Sequence, residues 1–137
     1  MGSRRKAREY CLQVLFQIEF TGGTGQGPKP NEVLSRFWEE NSTSDEVRKF
    51  TEELALGAIR NQKEIDVLIE AHSTNWKLSR MASVDRNLLR QAVYELIYCD
   101  AIPSSVTINE AVEIAKKYGT EESSAFINGI LDKIAKE

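Results

Sequence analysis

Apolar residues recur along this chain at the three-and-four spacing of a helix face, and nowhere at the strict alternation of a half-buried strand. Between Arg4 and Phe20, the residues Ala7, Cys11, Val14, Leu15 and Ile18 mark one face of a first helix. Gly22, Gly23, Gly25, Gly27, Pro28 and Pro30 follow, too dense in chain breakers for a regular element, so residues 22–30 read as a flexible loop within a domain. Asn31 is placed to cap a second helix that carries Val33, Leu34, Phe37 and Trp38 and ends near Asn41. Thr43 with Glu46 has capping-box spacing and opens a third helix through Val47, Phe50, Leu54 and Ala58. Asn61 with Glu64 restarts the chain as a fourth, carrying Ile65, Leu68 and Ile69 and fading near His72.

From Ser83 the apolar positions Val84, Leu88, Leu89, Ala92, Val93, Leu96 and Ile97 form an arc too wide for a surface stripe, which predicts a fifth helix buried on most sides. Pro103 breaks it. Thr107 with Glu110 reads as the cap of a sixth helix that ends at Gly119, a good C′ residue. Phe126, Ile127, Ile130, Leu131 and Ile134 define the last. The β-branched cluster at Val106–Ile108 overlaps a helix cap, so the expected fold class is all-α: a bundle of about seven short helices without an internal repeat.

Composition narrows the function. The 137 residues suffice for one domain with its own core, and are too few for an appended enzyme. Eighteen basic against 21 acidic residues give a net charge of −3, which argues against a generic nucleic-acid binder. Cys11 and Cys99 share no metal-ligand or redox spacing and read as small buried hydrophobes, and His72 is the single histidine, so no metal site is expected. The glycines at 22–27 follow no strand and lack the Lys-Ser or Lys-Thr ending of a phosphate loop. The adjacent pairs Glu52/Glu53 and Glu121/Glu122 splay around a helix. Neither a catalytic constellation nor a cofactor site is expected. With no apolar run of membrane-spanning length and no signal-peptide pattern, the expected location is cytoplasmic.

Against this acidic background, Arg4, Arg5, Lys6 and Arg8 fall within five residues and concentrate positive potential at one end of the first helix. A phosphate backbone is the natural partner of such a cluster, and arginine is suited to bidentate phosphate contacts. A solvated, frayed terminus is the competing explanation. On the same helix Leu12, Phe16 and Phe20 form a second apolar row at i, i+4 and i+8. Either the helix is buried on both sides, the commoner outcome, or this row faces a protein partner while the arginines reach beside it. Arg86, Arg90 and Tyr94 share the narrow face of the fifth helix, as an RNA-facing strip or, by default, a solvated edge with its own ion pairs. Phe126 sits at the margin of the last helix's stripe, near Lys116 and Lys117, where an aromatic can stack an unpaired base or merely rim the core.

Four segments occur in a recognisable order: Arg4-Arg5-Lys6-Ala7-Arg8-Glu9; Val84-Asp85-Arg86 with Leu89-Arg90 and Tyr94-Glu95-Leu96; Ile108-Asn109-Glu110-Ala111-Val112-Glu113-Ile114-Ala115-Lys116; and Phe126-Ile127-Asn128-Gly129-Ile130-Leu131-Asp132-Lys133. Together they resemble the NusB family of transcription antitermination factors over nearly the whole chain, and the last two, at this spacing, are the most specific. The resemblance implies a single RNA-binding helical domain over 1–137, built of two packed helical sub-bundles and without catalytic activity. It implies binding of boxA-type RNA together with the ribosomal protein NusE, within the RNA polymerase antitermination complex that supports read-through in ribosomal RNA operons. It assigns RNA contact to Arg4, Arg5, Lys6, Arg8 and Phe126, and places Phe16 and Asp85 at or near the NusE-facing surface. Some members form homodimers that hide the RNA surface. The Gly/Pro-rich stretch is no hallmark of the family, and Trp76 and Arg80 receive no role from it. The alternative is a helical protein-interaction module without RNA binding, its basic cluster solvated and its second apolar row part of the core.

Overall fold

The computed structural model describes residues 2–21, 29–74 and 76–137. Among these there are seven α-helices, one short 3-10 turn and no strand. The chain divides into two compact units, residues 1–60 and 61–137.

The first unit holds α1 (Ser3–Phe20), α2 (Pro30–Glu40) and α3 (Asp45–Arg60), with α1 packed against both others. Ala7, Cys11, Val14, Leu15 and Ile18 are all buried, as their spacing predicts. Two helix starts differ from expectation. Lys29, not Asn31, precedes α2, because Pro30 has the fixed φ and missing N–H that suit a first helical position. Ser44, not Thr43, caps α3, its Oγ accepting from the Val47 amide at 3.3 Å. Tyr10, Phe37 and Trp38 meet edge to face at centroid distances of 5.1–5.8 Å, and Trp38 Nε1 donates to Glu52 Oε2 at 2.8 Å. Most of the Gly/Pro-rich stretch, 22–28, lies outside the described residues.

The second unit holds α4 (Gln62–His72), the 3-10 turn (Leu78–Arg80), α5 (Ser83–Tyr98), α6 (Ser104–Tyr118) and α7 (Ser123–Ala135). Helix α5 packs against α4, α6 and α7, which explains its wide apolar arc. Leu88, Leu89, Val93, Ile114, Ile127 and Leu131 are fully buried, each worth about 1.5–3 kcal/mol of transfer free energy. Leu96 and Ile97 do not belong to that core: Ile97 is exposed. Helix α6 starts a turn earlier than Thr107 suggests, straight after Pro103, because Thr107 is spent elsewhere. Its buried hydroxyl donates to the buried Glu95 carboxylate at 3.0 Å, meeting the need of a charge taken out of water. Cys99 caps α5 at an intermediate depth instead of lying in the core, whereas Cys11 is buried.

Gly119 ends α6 as expected, but its φ of −100° is not left-handed. Space is what requires glycine there. A Cβ would stand 2.6 Å from Ser123 Cβ and 3.0 Å from the Ala115 carbonyl oxygen. This tight turn is tied further by the Thr120 amide, which donates to Ser123 Oγ at 2.9 Å and sets the start of α7.

Candidate nucleic-acid interface

The four basic residues fall in the first two turns of α1, a helix with no acidic residue in its first turn. Cations at a helix N-terminus oppose the macrodipole, at a cost of about 0.3–1 kcal/mol each when exposed. Local helix stability therefore does not explain their presence. A helix N-terminus and arginine both favour an anion, so the arrangement is matched to phosphate.

Their surroundings differ. Arg4 and Lys6 are exposed and Arg5 is half-buried, but Arg8 is only 4% exposed. The guanidinium carbons of Arg4 and Arg8 lie 5.0 and 5.5 Å from the centroid of the Phe50 ring, and Lys6 Nζ lies 4.9 Å from that of Tyr10. Ser3 donates to Glu46 on the facing helix at 2.8 Å, so even the first residue of α1 is tethered. The cluster is a preorganised patch held on aromatic faces and not a frayed end. Phe50, which by periodicity belongs to the α3 stripe, is half-buried because it carries these two guanidiniums.

The second row of α1 divides. Leu12 is buried, whereas Phe16 is 42% and Phe20 82% exposed, their rings stacked at 6.3 Å with planes 6° apart. The expectation of burial fails for both phenylalanines, and their exposure leaves an aromatic pair open for a partner.

In the second unit, the supposed basic strip of α5 is structural. Arg86 Nη1 donates to the Leu78 and Met81 carbonyls at 3.0 and 2.7 Å, fastening the 3-10 turn to the start of α5. Arg90 grips Asp66 with two bonds, Nε to Oδ1 at 2.8 Å and Nη2 to Oδ2 at 3.0 Å. Tyr94 is buried, stacked on Tyr98 at 5.1 Å. The default reading of a solvated edge with ion pairs holds only for the pairing of Arg90 with Asp66: the Arg90 side chain is 12% exposed and Tyr94 is buried, so the edge is packed and not solvated.

Phe126 and Asp85, assigned by resemblance to RNA and to the partner respectively, line one cavity of about 460 Å³ together with Trp76, Arg80, Thr120 and Glu122. Trp76 and Arg80 are thus the residues that sequence reasoning left without a place. A signal existed: Trp76 lies off every apolar stripe, between polar residues and beside Lys77, where a core tryptophan would not be. His72 has a structural role, with Nδ1 2.9 Å from the Leu68 carbonyl and Nε2 2.8 Å from Glu137 Oε2. Among the described residues no group of three or more His, Cys, Asp or Glu side chains is placed to hold a metal ion. No helix there is long and apolar enough to cross a membrane.

The fold and surface define a class: small all-α proteins of two compact units, with a basic first turn stacked on an aromatic ring and an exposed aromatic pair on the same helix. The chain belongs to the NusB family, whose model matches residues 5–136. It is 51% identical over 134 residues to the transcription antitermination protein NusB of Desulfatibacillum aliphaticivorans, covering 98% of this chain and 90% of the relative. It is 47% identical over 139 residues to the NusB protein of Myxococcus xanthus, covering 98% of this chain and 96% of that one. Among solved structures, T. maritima NusB superimposes with a TM-score of 0.87 at 41% identity, over 98% of this chain and 91% of that one. A chain from the crystal structure of antitermination factors NusB and NusE in complex with dsRNA gives a TM-score of 0.86 at 31% identity, over 99% of this chain and 98% of that chain.

Proposed function

We propose that this chain is a transcription antitermination factor that binds boxA-type RNA together with NusE, as part of the RNA polymerase antitermination complex acting on ribosomal RNA operons. It works in the cytoplasm, by binding and not by catalysis, and 1–137 serves as one RNA-binding domain. The observation that carries this reading is the near full-length likeness to a NusB chain whose structure was solved with NusE and dsRNA, joined to the basic patch on α1.

In mechanistic terms, Arg4, Arg5 and Lys6 meet phosphates directly, while Arg8, nearly buried over Phe50, contributes field and holds the patch in shape. Phe126 offers an aromatic surface to an unpaired base. Phe16, with Phe20 beside it, supplies an apolar anchor for NusE, whose basic character as a ribosomal protein suits the net charge of −3.

The test is titration of boxA-type RNA with and without NusE across a salt series. Contacts from these three basic groups to single-stranded RNA give a slope of log K on log salt of about −2. The triple variant Arg4→Ala, Arg5→Ala, Lys6→Ala should flatten that slope and weaken binding. Unchanged affinity in that variant would favour the interaction module without RNA binding, and salt-insensitive binding would sink the proposal.

A further inference from the structure

Lys77 and Arg80 stand on the stretch between α4 and α5, where the chain makes only a 3-10 turn and yet is fastened at four points. Ser73 Oγ donates to the Trp76 carbonyl at 3.0 Å, and the Leu78 amide donates to Glu70 Oε2 at 2.9 Å. Arg86 Nη1 donates to the Leu78 and Met81 carbonyls at 3.0 and 2.7 Å. These bonds hold the backbone and spare the cations. Among the described residues neither the Lys77 ammonium nor the Arg80 guanidinium has a hydrogen bond, an ion pair or a ring contact, and both side chains are exposed. Arg86 and Arg90 on the following helix are, by contrast, committed to carbonyls and to Asp66.

The two cations line a hollow of about 400 Å³ with Glu70, Ser73, Thr74 and Trp76. Glu70 brings the one carboxylate of that lining, and its Oε2 already takes the Leu78 amide, so positive charge prevails. The Trp76 side chain, 51% exposed, is the apolar wall. A low-dielectric wall beside cations focuses their field on whatever enters. Thr74 adds a hydroxyl donor. A planar guanidinium, an ammonium and a hydroxyl together suit a phosphate group. A basic ribosomal protein would be repelled by the same pair, so this hollow does not suit NusE. Asp85 lines the neighbouring cavity and not this hollow, which leaves it to the protein-facing surface that the family resemblance gives it.

We propose that Lys77 and Arg80 form a second phosphate clamp for RNA, carried by the second compact unit as the α1 patch is carried by the first. The proposal rests on the RNA-binding reading above. Two clamps on one strand act as linked modules, so each adds to affinity without any contact between them. The fastened backbone sets the clamp in place before RNA arrives, which spares the ordering cost of a loose loop.

The experiment measures the affinity of the complex with NusE for boxA-type RNA across a salt series. Proteins compared are the parent chain, the double variant Lys77→Gln with Arg80→Gln, and Arg80→Lys, each checked by thermal melt. Each phosphate contact to single-stranded RNA adds about 0.7 to the steepness of log K against log salt. The double variant should therefore lose about 1.4 of slope and bind about ten-fold or more weakly at about 0.1 M salt. Arg80→Lys keeps the charge and should keep the slope, a result that a merely structural role for Arg80 does not predict. The same loss of about 1.4 should recur in the Arg4→Ala, Arg5→Ala, Lys6→Ala background, because distant contacts add. An unchanged slope in a folded double variant would overturn the clamp and leave the RNA-binding reading standing. A double variant that loses NusE in the absence of RNA, with its RNA slope intact, would make this a protein-facing surface and overturn the clamp too. A parent complex that binds no RNA would bring down both.

Discussion

The guanidinium of Arg8 lies over the ring of Phe50, 5.5 Å from its centroid, and Arg4 takes the same ring at 5.0 Å. One half-buried aromatic on α3 thus sets the position of two cations on α1. Each exposed cation–π contact is worth about 0.5–1 kcal/mol. Phe50→Leu keeps the apolar volume but removes the ring, and should weaken RNA binding by the complex about two- to five-fold. A melting temperature close to the parent's, measured alongside, would separate this positioning effect from unfolding.

Arg90 and Asp66 form a two-bond pair whose side chains are 12% and 26% exposed. Screening by water is therefore weak for the arginine, and Arg90→Ala should cost about 1–3 kcal/mol of stability in urea denaturation. RNA affinity should not change, because this face of α5 is committed to α4. A loss of RNA binding without loss of stability would return Arg90 to the interface.

Gly119 sits where a methyl group would press on Ser123 and on the Ala115 carbonyl. Gly119→Ala is expected to destabilise by about 1–3 kcal/mol, as overpacking does, although its φ is one any residue adopts. Thermal or chemical melts give the answer directly. The same variant shifts the turn that carries Phe126.

Stability should also carry a pH signature from His72. Both its ring nitrogens face acceptors, so only the imidazolium makes both bonds. The Leu68 carbonyl first, and the Glu137 carboxylate second, raise its pKa above the ordinary 6.5. The contribution is therefore complete below that ordinary value and lost as pH rises through the raised, folded one. Comparing Glu137→Gln with the parent in urea from about pH 5.5 to about pH 8.5 should show the difference shrinking as pH rises. A difference that grows instead would contradict the pairing.

Phe16 and Phe20 stack on each other in the open. Phe16→Ala should leave stability within about 0.5 kcal/mol of the parent, as surface changes do. If the pair anchors NusE, the same change weakens that complex about ten-fold or more, read by calorimetry. Unchanged affinity would move the partner surface elsewhere.

The order of the helices was legible along the chain, because helical periodicity and proline act over a few neighbours, whereas the caps read at Asn31, Thr43 and Thr107 were each displaced by a residue or more. Ala7, Cys11, Val14 and Ile18 declared a buried face, and Pro103 declared a break. What periodicity cannot say is which neighbour covers a face, or whether any does. Leu12, Phe16 and Phe20 share one row, yet only Leu12 is covered. Arg8 stands among basic residues that look alike in sequence, yet α3 places Phe50 beneath it. Thr107 looks like a cap until the buried Glu95 is beside it. Trp76 and Phe126, about fifty residues apart, become walls of one cavity only when the turn at Gly119 and the fastened segment before α5 are both in place. Local rules fix elements because their hydrogen bonds close within a turn. Sites form between elements, where long-range packing decides which side chains lose water and which keep it.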